Sequence, residues 1–163
     1  MLESHLQLMF KRKTGFVGSK TLNFNIKYVT SATKLNRTMD KLKPFIENIL
    51  YETIMPIMLI THKDATLFKD DPIEYIRKQQ DFTETLFMPK NTVIDLLQYI
   101  CSYVSAPKVK GQKKSARRPD YLFPFLHFAA TNMNDYQAQI AQGAHPDWRI
   151  KEGLMCAIGH LHD

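Results

Sequence analysis

Apolar side chains return every three or four residues along most of the chain, the period that gathers them on one face of an α-helix. Leu2, Leu6 and Met9 mark a first short helix over residues 2–10. Gly15 and Gly18 break it. A second helix follows, with Ser19 as its N-cap and Leu22, Ile26, Val29 and Thr33 as its inward stripe. The pattern lapses between Asn36 and Asp40, then resumes over residues 41–60, where Ile46, Ile49, Leu50, Ile57 and Met58 face inward. Pro44 fits the first turn of this third helix, where a missing N–H is harmless. Pro56 lies inside it and predicts a kink or an early stop. Asp71-Pro72 reads as an N-cap followed by proline at the first helical position, with Glu74 at the capping-box offset; it opens a short, partly exposed helix over 72–80. The clearest stripe is Val93, Leu96, Leu97, Ile100, Cys101 and Val104, a helix over 91–104. Tyr121, Leu122, Phe125, Leu126 and Ala129 predict a sixth helix from Pro119 or Asp120. After a break at 142–146, Ile150, Leu154, Ala157, Ile158 and Leu161 predict a last one over 147–161.

Strict apolar–polar alternation and Asn-Gly or Asp-Gly hairpin turns are absent, so no strand is expected. The fold class is therefore all-α. Six or seven amphipathic helices in successive pairs of about 40 residues suit HEAT-type repeats stacked into an α-α superhelix. A compact helical bundle would show the same period. Residues 1–163 form one helical segment, interrupted by a basic surface loop at 105–118.

Charge sharpens that loop. The chain carries 22 Lys and Arg against 16 Asp and Glu. Six of the basic residues fall in one run: Lys108, Lys110, Lys113, Lys114, Arg117 and Arg118. No acid interrupts between Asp95 and Asp120. Without the run the two signs balance, so the protein is a neutral body with one basic segment. Gly111, Gln112, Ser115 and the flanking Pro107 and Pro119 suit a solvated loop. The run is also a candidate contact for acidic protein or phosphate, nucleic acid included, and a candidate nuclear-localisation-like signal. It lacks the interleaved aromatics that stack on bases.

Composition removes other classes. A hydrophobic fraction of 44% is enough to build a core and excludes a wholly disordered chain. The longest apolar stretch, residues 54–60, is far short of the roughly 20 residues that span a bilayer, so no membrane insertion is expected. The N-terminus lacks an apolar core of signal-peptide length. Cys101 and Cys156 make neither a disulfide framework nor a zinc pattern, and suit a reducing, intracellular compartment. No nucleophile, phosphate-loop or dinucleotide motif occurs. His160 and His162 lie two apart and face different directions on a helix, a poor metal pair. Cys101 sits on an apolar stripe and reads as a small hydrophobe. Asp70-Asp71 and Glu47/Glu52 lack the spacing and setting of an acid–base couple, and Trp148 at a helix start reads chiefly as packing against the preceding unit. No catalytic, metal or cofactor site is expected.

The string Asp70-Asp71-Pro72-Ile73-Glu74-Tyr75-Ile76-Arg77 resembles a signature of the importin-β superfamily, most closely its importin seven and importin eight type. Ile73 stands where that pattern has an aromatic residue. Leu42-Lys43-Pro44-Phe45-Ile46, Ile54-Met55-Pro56-Ile57-Met58 and Asp147-Trp148-Arg149-Ile150-Lys151-Glu152-Gly153-Leu154 resemble further segments of the family in the same order. The resemblance implies a central piece of a HEAT-repeat nuclear transport receptor, not an enzyme. It implies protein cargo, Ran GTPase and nucleoporins as partners, and shuttling between nucleus and cytoplasm. Within the signature, Asp71, Pro72, Glu74, Tyr75, Ile76 and Arg77 are expected to be structural.

Overall fold

The computed structural model describes residues 2–12, 15–81, 88–105 and 118–161. Among them every regular element is helical: α1 (Leu2–Lys11), α2 (Ser19–Thr33), α3 (Asn36–Leu42), α4 (Met55–Met58), α5 (His62–Asp70), α6 (Pro72–Gln80), α7 (Pro89–Ser102), α8 (Leu122–Ala141) and α9 (Trp148–Gly159). A 3-10 turn (Lys43–Phe45) and a π-helical stretch (Asn48–Ile54) link α3 to α4 into one rod. The all-α expectation holds.

The rod departs from its expected outline. It begins at Asn36, inside the stretch where the pattern lapses, because Met39 and Leu42 alone hold that first helix in the core. Pro44 therefore lies within the rod, where an α-helix would need its absent N–H, and the backbone tightens there into the 3-10 turn. Just before Pro56 the ladder loosens instead, the Met55 N–H reaching back five residues to the Leu50 carbonyl. The rod stops early at Met58, with Leu59 extended. Ile46, Ile49, Leu50, Ile57 and Met58 all face inward as predicted.

Side-to-side packing runs through two layers. In one, α1 meets the rod and the rod's end, α4, meets α9. In the other, α2 packs along α7 and α7 meets α8. Contacts of α1 with α2, of the rod with α7, and of α8 with α9 join the layers. Apart from α5 and α6, the result is a stack of helix pairs, in which each pair buries its apolar face on its neighbours.

The core follows the stripes. Leu22, Ile26 and Val29 of α2 and Val93, Leu96, Leu97, Ile100 and Cys101 of α7 are buried. Val104 falls beyond the end of α7. The α2–α7 seam also carries a buried polar tie, the Thr92 hydroxyl donating to the Asn23 side chain. Asn25 binds the His5 ring and donates to the His5 carbonyl at 2.8 Å, fastening α1 to α2. The α2 cap differs from expectation: Ser19 is the first helical residue and Gly18 the cap, without a side-chain bond. On α9, Leu154 and Ala157 are buried, while Ile150 and Ile158 remain partly exposed.

The helix α5 has no counterpart in the predicted elements. Thr61 caps it, its hydroxyl oxygen accepting from the Asp64 N–H at 3.1 Å. With α6 it forms a hairpin that packs chiefly on itself and contains no fully buried residue. Asp71 caps α6 as predicted, accepting from the Glu74 N–H at 2.9 Å. Glu74 does not complete a reciprocal box, because its carboxylate pairs with Arg77 at 3.1 Å and the Asp71 N–H donates to the Leu67 carbonyl. Asp71→Ala is expected to cost about 0.5–2 kcal/mol locally. Amide exchange should quicken across residues 72–80 and leave the α2 and α7 amides unchanged; equal protection in α6 would mean the cap contributes nothing.

Candidate interaction surface

The signature residues all sit on the α5–α6 hairpin. Asp71 and Glu74 set the start of α6, Pro72 fills its first position, and Arg77 answers Glu74. Tyr75 turns inward, its ring meeting Phe68 of α5 edge-on at 5.3 Å. Burial raises the Tyr75 pKa first, and the Glu152 and Asp64 carboxylates add to the rise. Ile76 stays exposed, as do Phe68 and Ile73, the last 76% open to solvent. An ion pair of 3.0 Å between Asp64 and Lys78 braces the hairpin from within. Burial pushes Asp64 upward, but bonds from the Thr61 hydroxyl and Lys78 outweigh it and hold the carboxyl below its usual range.

Of the basic run, Lys108, Lys110, Lys113, Lys114 and Arg117 lie outside the described residues, as does most of the 105–118 loop. Its two ends are described, and they are clasped together. The Asp120 N–H donates to the Tyr103 carbonyl at 2.9 Å, the Ser105 hydroxyl donates to the Asp120 carboxylate, and the Tyr103 and Tyr121 rings stack at 6.3 Å. Lys43, ion-paired with Asp40 at 2.8 Å, lies 5.6 Å from the Tyr103 ring centre. Arg118 is exposed, its guanidinium 5.4 Å from the centre of the Phe123 ring. The described residues on either side of the run, at the end of α7 and the start of α8, thus lie against each other.

A second exposed apolar surface lies on α9. Trp148, 48% exposed, shares the outer side of the helix with Met155, opposite the buried Gly153 and Ala157, while the exposed Ile158 lies at the edge next to Leu154. The helix is capped by Asp147, whose carboxylate accepts from the Arg149 N–H at 3.1 Å and grips its guanidinium. Those Arg149 bonds hold the Asp147 carboxyl down to about 2. Arg149 also reaches the Ile60 carbonyl at 3.4 Å, which ties α9 to the end of the rod. Gly153 allows the close approach there: a Cβ would stand 2.7 Å from Leu59 Cδ2, and that side chain would have to turn aside.

The candidate reactive groups read otherwise. Cys101 is buried on the apolar stripe, and burial pushes its thiol up to about 12, so it is protonated and inert at neutral pH. Among the described residues no three His, Cys, Asp or Glu side chains gather as metal ligands, and no helix is long and apolar enough to cross a membrane. His160 gives its carbonyl to the Gln98 amide at 2.8 Å; His162 and Asp163 lie outside the described residues.

Known proteins resemble the chain along its whole length. It is 26% identical over 165 residues to an importin beta-like SAD2 homolog of Arabidopsis thaliana, an alignment covering 100% of this chain and 14% of the relative. Importin-8 of Homo sapiens is 29% identical over 150 residues, 92% of this chain and 12% of its own length. A probable importin-7 homolog of Dictyostelium discoideum is 25% identical over 136 residues, 83% of this chain and 12% of the relative. The chain therefore spans about one-eighth of the length of the curated relatives it matches. No solved structure matches it. Residues 6–106, from α1 through α7 and the helix pairs built around the rod, match the Cse1 family, and the chain belongs to that family.

Proposed function

We propose that this chain is a segment of a nuclear transport receptor, a scaffold that holds protein partners and transforms none of them. The observation that carries the reading is the likeness to importins along the chain, on a fold built as stacked helix pairs. Such a stack is quasi-one-dimensional and offers long surfaces to large partners. The partners that follow are protein cargo, with Ran GTPase and nucleoporins for the whole receptor, which moves between nucleus and cytoplasm. The six cations from Lys108 to Arg118 are the proposed contact for an acidic protein surface: they hold the whole charge excess of the chain on one segment.

Affinity capture from a nuclear extract tests both parts. The chain should enrich transport factors, pore proteins or nuclear cargo, and their absence would overturn the receptor reading. Neutralising Lys113, Lys114, Arg117 and Arg118 together should release the acidic partners and flatten the salt dependence of binding. If nuclease treatment releases them instead, the run is a nucleic-acid contact; if neither treatment changes binding, it contacts no partner.

A further inference from the structure

A cavity of about 480 Å³ opens beneath the α5–α6 hairpin, between the α1–α2 connection, the end of the rod and the start of α7. That size lies within the range of ligand pockets. Leu22, Ile57 and Leu59 give it an apolar floor, while Arg12, Tyr75 and Gln79 border it with polar groups. The charges around it do not cancel. Asp64 is met by Lys78 at 3.0 Å, and Lys90 by Glu152 at 3.6 Å, which leaves the Arg12 guanidinium without a carboxylate among the described residues. Desolvation by its neighbours lowers the Arg12 pKa, although the side chain keeps exposed surface at the rim of the cavity. The Tyr75 hydroxyl and the Gln79 amide also make no hydrogen bond among the described residues. Arg12 and Gln79 stand exposed at its rim and Tyr75 half-buried beside them, so three donors border one apolar hollow with no acceptor for them among the described residues.

We infer that this cavity seats an acidic linear segment of a partner protein, an apolar side chain resting on Leu22, Ile57 and Leu59 and a flanking carboxylate meeting Arg12 and the Tyr75 hydroxyl. An anion fits because the unbalanced charge is a cation. An apolar group fits because the floor is hydrocarbon. Both within a residue's reach of each other is the chemistry of leucine beside aspartate or glutamate. A carboxylate held by a guanidinium forms the stronger, charge-assisted kind of hydrogen bond. The assignment stands on the cavity and does not depend on the transport reading.

The test is fluorescence anisotropy of the full chain with a labelled short peptide of alternating leucine and aspartate, beside counterparts carrying asparagine for aspartate or serine for leucine. The parent peptide should bind saturably and each counterpart at least about tenfold more weakly, the scale of one charged hydrogen bond or one buried leucine. Arg12→Glu should weaken the parent peptide by a similar factor with unchanged helical circular dichroism, and Tyr75→Phe by about threefold. Neutralising Lys113, Lys114, Arg117 and Arg118 should leave it bound, which separates this site from the basic run. Binding lost in that variant, equal affinity for the asparagine peptide, indifference to both Arg12→Glu and Tyr75→Phe, or no saturable binding would each overturn the assignment.

Discussion

Phe125→Ala is expected to cost about 3–5 kcal/mol and to loosen one end of the stack before the rest. Phe125 has no exposed surface and is the largest fully buried side chain of α8. Its ring lies 6.4 Å from that of Phe128, which in turn stacks on Tyr51 of the rod at 4.2 Å. Truncation removes the aromatic wedge that seats α8, and the protein around it closes only partly over the space. The α8–α9 pair touches the remainder through α7, α4 and Tyr51 of the π-helical stretch, so its hold is an interface between neighbours and can fail on its own. The chain supplies its own reporter. Trp148, the single tryptophan, lies at the start of α9. In the variant, its emission should change at lower urea than the helical signal at 222 nm, which averages over all the helices. Coincident curves, or a loss under about 1 kcal/mol, would show that Phe125 does not hold the pair in place.

Leu97→Ala should behave differently at a similar scale, about 2–5 kcal/mol. Leu97 is fully buried on α7. That helix packs on α2, on the rod and on α8, so no part of the stack can keep its packing once α7 shifts. Both probes should move together to lower urea. A split between them in Leu97→Ala, or no split in Phe125→Ala, would contradict the two-layer arrangement.

What the sequence made legible follows from how much apolar surface each helix buries. The stripes of α2 and α7 stand out because four or five residues at helical spacing face one core, and they lie where they were read. The α3 stretch was illegible because Met39 and Leu42 are only two such positions. The α5 helix was illegible because it buries nothing fully; its one signal was Thr61 followed three residues later by Asp64, a capping pattern with no stripe behind it. The π-helical stretch left no mark beyond the proline that follows it. Charge is additive along the chain, so the basic run was visible at once. The cavity was not, since Arg12, Tyr75 and Lys90 meet only through the fold.

The α5–α6 hairpin is joined to the stack chiefly at its two roots, one after Leu59 and one before Pro89. A branch held that way can lengthen or shorten without shifting the partners of the rod or of α7, and closing a longer excursion costs only about 0.6 kcal/mol for each doubling of its length. Insertions and deletions among homologues should therefore gather between those roots on either side of the signature at 70–77, making these the stretches where the lineage can experiment with new contacts while the trunk keeps its spacing.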